Sequence, residues 1–160
     1  MYTKIFYDLQ ALQQEILLLK QEWKRIVRTN GCFDLLHPGH LKTFEESKKF
    51  WDVLIVGVNG DNSPYRKEKP GRPINDEEFR TKMLEAIRFI DYIYIYNDET
   101  PLLPLQILLP DVLVKWGDYQ VEDIIWYKEI TENGWQVVTI PVVSNYSTSN
   151  MIAKILDVYK

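Results

Sequence analysis

A chain of 160 residues, 46% hydrophobic and 26% charged, suits one globular domain around one core and excludes a disordered segment. Its net charge of −4 excludes the chain as a whole from being an electrostatic match for nucleic acid, although a local basic patch can still hold a phosphorylated metabolite. Cys32 is the single cysteine, which excludes an intrachain disulfide. With no leader-like start and no run of about 18 apolar residues, a cytoplasmic protein without a membrane span is expected.

Residues 3–23 read as a helix, because Ile5, Leu9, Leu12, Ile16, Leu19 and Trp23 alternate four and three apart and fall on one stripe. That stripe either packs on its own domain or forms the seam of a homodimer or higher homo-oligomer. Residues 1–23 are therefore set apart from a main domain over 24–160. Arg25 to Thr29 reads as a strand and His40 to Phe50 as a helix. Val53 to Asn59 is nearly continuous in apolar residues, as a strand buried on both faces should be. Asn75 is placed to cap a helix running through Phe89, with Asp76, Glu77 and Glu78 in its first turn. Tyr92 to Tyr96 is the third strand, followed by a leucine-rich helix that Pro104 keeps short. Val112 to Lys115 is the fourth strand, and a further helix ends near Gly134. Trp135 to Val142 is the fifth strand and Ser147 to Tyr159 the closing helix. Strands alternating with helices predict one α/β domain: a Rossmann-like, doubly wound, five-stranded parallel sheet plus the N-terminal helix. Ligands of such sheets bind beyond the carboxyl ends of the strands.

Thr29-Asn30-Gly31-Cys32-Phe33-Asp34 ends the first strand, and His37-Pro38-Gly39-His40 opens the next helix. Gly31 and Gly39 admit close backbone approach, Pro38 suits a first helical turn, and the free N–H groups there form an anion site. Taken alone, two histidines three apart are capping or solvent-facing imidazoles, or the start of a zinc set. No cysteine, third histidine or acidic cluster completes that set. Ser147-Thr148-Ser149 alone is an ordinary N-cap. Lys67 and Lys69 lie in a charged loop, Ser63 to Arg72, which is either simply solvated or a basic flap.

His37-Pro38-Gly39-His40 after Asn30 to Leu36, with Tyr146 to Asn150 in its expected order, resembles the HxGH nucleotidylyltransferase superfamily. Asn59-Gly60-Asp61, Gly71 to Asn75, Arg80, Pro110 to Lys115 and Gly117-Asp118-Tyr119 narrow the resemblance to the branch that joins AMP to D-glycero-β-D-manno-heptose 1-phosphate. It runs from about Arg25 to Leu156. Glycerol-3-phosphate cytidylyltransferases share the superfamily motifs, but the arginine they carry shortly before the serine segment is missing ahead of Ser147. Trp116 stands where the heptose branch usually has glycine, and Asn145 where it often has glycine.

The resemblance implies an enzyme, a nucleotidyltransferase making ADP-heptose for a glycan such as lipopolysaccharide. ATP would enter with Mg²⁺ carried by the nucleotide, and the protein would supply no metal ligands. His37, His40 and Lys67 would be catalytic. Asn30, Gly31, Cys32, Phe33, Gly39, His40, Lys69, Lys115, Gly117, Asp118, Tyr146, Ser147, Thr148 and Ser149 would bind the nucleotide. Asp34, Asp61 and Arg72 would bind the acceptor, with capping an equal role for both aspartates. A phosphate oxygen of the acceptor attacks the α-phosphorus directly, so Cys32 is not needed as a nucleophile. A cationic imidazole would grip the triphosphate most strongly, and an unperturbed histidine is partly protonated at neutral pH.

Overall fold

The computed structural model describes residues 4–49, 51–64, 71–117, 120, 124, 127–141 and 146–159. Its strands are β1 (Ile5–Phe6), β2 (Ile26–Gly31), β3 (Val53–Asn59), β4 (Tyr92–Tyr96), β5 (Val112–Trp116) and β6 (Gln136–Ile140). Its helices, numbered in chain order, are α1 (Leu9–Gln21), α2 (Pro38–Lys49), α3 (Glu77–Glu85), α4 (Leu102–Leu108), α5 (Tyr127–Glu132) and α6 (Thr148–Val158). The strands form one parallel sheet in the order β1-β4-β3-β2-β5-β6. The winding reverses between β2 and β5, and a crevice opens where their carboxyl ends diverge.

The sheet has six strands rather than the expected five. Ile5 and Phe6 pair with Ile93 and Tyr94 of β4, and the Asp8 carboxylate then caps the Gln10 N–H at 2.9 Å, so α1 starts at Leu9 rather than at residue 3. Leu12 and Ile16 are fully buried against Ile26, Ile55, Tyr94 and Leu108, with Leu9 and Leu19 at the margin. Full burial of such a side chain contributes about 1.5–3 kcal/mol, so this stripe holds its own domain together. Trp23 leaves the stripe, at a left-handed φ of 62° and 90% exposed. The opposite face carries α2 and α3, whose Phe44 and Leu84 pack on Val27, Leu54, Val56 and Val114.

The helix read from Asn75 through Phe89 differs at both ends, for local reasons. Asp76, not Asn75, caps α3 by accepting the Phe79 N–H, because the Asn75 N–H and side chain are committed to Asp34. The helix stops at Glu85, and Ile90 beyond it turns into the core. Pro104 lies in the first turn of α4, where its missing N–H costs little, and Leu109 ends that helix at a left-handed φ of 47°. No helix among the described residues is long and apolar enough to cross a membrane.

Candidate active site

β2 delivers Asn30 and Gly31 to the crevice, and the chain then turns into α2. Phe33 takes a left-handed φ of 53° and its ring folds over Gly31, where a Cβ would lie 3.1 Å from Phe33 Cζ. The same ring meets His40 edge-on and tilts against Phe44, both at 5.3 Å between centroids, so aromatic contact anchors the turn to α2. The His37 carbonyl accepts the His40 N–H at 2.9 Å and so opens the helix. The two imidazoles stack, with centroids 3.8 Å apart and planes 21° from parallel. Gly39 permits this arrangement, since a Cβ there would lie 3.0 Å from His37 Cε1 and Nδ1 and 3.4 Å from Trp116 Cζ2. Trp116, at the end of β5, closes the same wall at 5.9 Å from His37 and 6.2 Å from His40.

Burial lowers the pKa of His37, and burial together with the neighbouring His37 pushes His40 down to about 3. At neutral pH the pair is neutral, not partly protonated as the unperturbed residue would be. Nδ1 of each imidazole and Nε1 of Trp116 are buried and hydrogen-bond nothing. Three ring nitrogens thus stand unsatisfied around one wall of the crevice.

Two framing loops are fixed by charged side chains. The Asp34 carboxylate accepts the N–H groups of Ile74 and Asn75 at 2.9–3.0 Å and pins the segment carrying Arg72 over the crevice. Arg80, fully buried, donates to the carbonyls of Cys32, Asn59 and Asn75 and pairs with Asp61 at 2.8 Å. The other Asp61 oxygen caps the Glu77 N–H at 3.0 Å. Across the crevice Ser147 caps α6 by accepting the Asn150 N–H at 3.0 Å, and the Arg72 guanidinium reaches Ser149 Oγ at 3.4 Å. Two helix N-termini, those of α2 and α6, therefore converge on one space, an arrangement suited to a polyanion.

Asn30, Gly31, Cys32, Phe33, Asp34, His37, His40, Arg72, Ser147, Thr148 and Ser149 all line that space, a cleft of about 260 Å³, together with Thr29, Thr43 and Trp116. Gly39 packs behind the histidine rings. Lys115 is not itself a lining residue, but its Nζ lies 3.2 Å from Oδ1 of Asn30, which is one. Gly117 follows at φ 146°, donating its N–H to Ile140. Asp61 and Tyr146 are not among the lining residues: Asp61 is engaged by Arg80, and Tyr146 is 44% exposed. Lys67, Lys69 and Asp118 lie outside the described residues. Sequence reasoning gave Arg80 no role, because the carbonyls that it gathers come from three separate segments, one of them the end of β3, and leave no local pattern.

A model of the cytidylyltransferase-like family matches residues 28–154. The bifunctional protein HldE of Azorhizobium caulinodans is 42% identical over 135 residues, covering 84% of this chain and 28% of that protein. HldE of Actinobacillus succinogenes is 42% identical over 146 residues, covering 91% of this chain and 31% of its own length. The chain thus spans less than a third of the curated relatives that it matches. The crystal structure of the lipopolysaccharide core biosynthesis protein from Thermoplasma volcanium superposes with a TM-score of 0.63 at 26% identity, covering 78% of this chain and 99% of that one. Pantoate-beta-alanine ligase from Francisella tularensis, at 16% identity and a TM-score of 0.64 over 98% of this chain and 80% of its own, shares the fold.

Proposed function

The chain belongs to the cytidylyltransferase-like family, and on that premise we propose that it is the adenylyltransferase that moves AMP from ATP to a sugar 1-phosphate, namely D-glycero-β-D-manno-heptose 1-phosphate, releasing ADP-heptose and pyrophosphate. One observation carries the reading. The stacked pair of His37 and His40 and the N-termini of α2 and α6 face a single cleft at the point where the sheet reverses. Identities of about 40% to HldE proteins, the bifunctional enzymes whose adenylyltransferase domain this chain covers, support the heptose branch.

A phosphate oxygen of the acceptor attacks the α-phosphorus in line, and pyrophosphate leaves with its bond electrons. The protein's part is positioning and neutralising the charge that develops. The imidazole N–H groups and the backbone N–H groups at the start of α2 hold the phosphates, while Ser147, Thr148 and Ser149 hold the far end. The nucleotide's negative charge opposes the burial effect and raises the histidine pKa values, so grip and charge grow together as it binds. ATP enters as its Mg²⁺ complex. In this reading Lys67 and Lys69 form a basic flap over the phosphates, and Asp34 and Arg72 are assigned to the acceptor without a contact that fixes their side. Cys32 has no nucleophilic task, since the acceptor oxygen attacks phosphorus directly and no covalent enzyme intermediate is formed. Consumption of ATP suits a reaction in the cytoplasm. Isothermal titration with Mg²⁺ and either ATP or CTP tests the base preference. ATP binds more tightly on this account, and tighter CTP binding refutes it.

A further inference from the structure

Arg28, in the middle of β2, is fully buried and has no part in the chemistry above. Strand alternation puts Ile26, Arg28 and Asn30 on the α1 face, whereas the histidine pair stands on the α2 face. Arg28 Nε donates to Tyr94 Oη at 2.6 Å, and the guanidinium lies 5.6 Å and 6.0 Å from the rings of Tyr94 and Tyr96. Gly57 makes the room, since a Cβ there would lie 2.7 Å from Tyr94 Oη and 3.2 Å from Arg28 Nη2. Neither Nη group has a hydrogen-bond partner. Among the described residues no ion pair includes Arg28. Tyr94 does not neutralise it, because burial pushes that phenol up to about 12. Such a guanidinium is a buried, uncompensated positive charge, costly unless an anion answers it in some state of the molecule.

Neighbouring side chains link Arg28 to the cleft. Arg28 registers with Leu113 on β5, so Lys115 is the next β5 side chain on the same face toward the carboxyl end. Lys115 Nζ contacts Asn30 Oδ1, and Asn30 Nδ2 donates to Tyr96 Oη at 3.0 Å. Asn30 lines the cleft. Burial and the charge of Arg28 lower Lys115 to about 8, so one cation already acts on the other.

This arrangement bears on the acceptor, and the argument rests on the nucleotidyl-transfer reading. In-line displacement requires the acceptor oxygen to approach the α-phosphorus opposite the departing pyrophosphate. If the histidine face holds the pyrophosphate end, the acceptor's phosphate belongs on the other side of β2 and β5. We propose that Lys115 and Arg28 form an anion subsite for the phosphate group of the acceptor, Lys115 as the contact and Arg28 as the positioning charge beneath it. The acceptor oxygen forms the new bond to the α-phosphorus, and the bond from that phosphorus to the bridging oxygen breaks. Its electron pair leaves with pyrophosphate.

The test titrates the full chain with inorganic phosphate by calorimetry after saturation with a non-hydrolysable ATP analogue and Mg²⁺. The parent binds phosphate, and Arg28→Met and Lys115→Met each weaken it by about tenfold or more, the scale of one lost charge-assisted contact. Arg28→Lys restores most of the affinity. Arg28→Met melts no lower than the parent, because a hydrophobic replacement of a buried charge is often neutral or stabilising. Undiminished phosphate binding in Arg28→Met or Lys115→Met overturns the proposal, and so does an Arg28→Lys chain as weak as Arg28→Met. The nucleotide step reads the transfer reaction separately: an analogue that fails to bind removes the proposed function. Phosphate binding to the nucleotide-free chain that is lost in Arg28→Met but kept in His40→Asn still identifies the subsite.

Discussion

Gly39→Ala isolates the geometry of the site from the stability of the fold. The new methyl would stand 3.0 Å from two atoms of the His37 ring and 3.4 Å from Trp116 Cζ2. The imidazole has to give by a few tenths of an ångström, and it is already stacked at 3.8 Å on His40. Turning a side chain about 30° off its rotamer costs about 0.5–1.5 kcal/mol. Alanine in place of glycine in a helix returns up to about 1 kcal/mol, so the two effects nearly cancel and the melting temperature barely moves. Catalysis has no such compensation, because misplacing a reacting group by about 1 Å costs on the order of 10²-fold. A smaller shift here predicts a loss of about tenfold in kcat. Pyrophosphate release at saturating nucleotide, alongside thermal denaturation, measures both. Parental turnover in a folded Gly39→Ala chain refutes the positioning argument, and a collapsed melting temperature refutes the energetic one.

Other residues give separate checks. Arg80→Met strands the carbonyls of Cys32, Asn59 and Asn75 and the Asp61 carboxylate, so urea denaturation should show a loss of about 3 kcal/mol or more; a loss under 1 kcal/mol contradicts the scaffold role. His40 has a folded pKa near 3 against an ordinary 6.5, so the unfolded chain takes up its proton first. Stability without nucleotide then falls as pH drops from about 6.5 toward 3, and His40→Asn flattens that slope. An imidazole NMR titration with His40 protonating near 6.5 would overturn this account. Deleting residues 1–22 uncovers Ile26, Ile55 and Leu108 by removing Leu12 and Ile16, and the truncated chain should lose its cooperative melt; an unchanged melting temperature would show that α1 is dispensable.

Much of the sheet was legible because each strand is an apolar run between turn residues, and Val53 to Asn59 has the same bounds in sequence and structure. β1 was not, since Ile5 also satisfies the helical spacing and only the Asp8 cap separates the two readings. The placement of His37, His40 and Ser147 could be read because it is local: each stands at the start of a helix. Arg28 could not. A single arginine in a strand says nothing of its burial, and the features that accommodate it, Gly57 and Tyr94, come from two other strands. The depressed histidine pKa values were hidden for the same reason, because burial by Phe33 and Trp116 is a tertiary fact.

Single-turnover pyrophosphate release with D-glycero-β-D-manno-heptose 1-phosphate bears most directly on the function, with parent and His40→Ala compared at saturating ATP. The parent should release pyrophosphate only when the acceptor is present, and faster with ATP than with CTP. His40→Ala should be slower by about 10²–10³, the loss of one preorganised donor, or about 2.7–4 kcal/mol. A folded His40→Ala chain with near-parental release, or a parent that releases pyrophosphate with no phosphorylated sugar offered, would contradict the account.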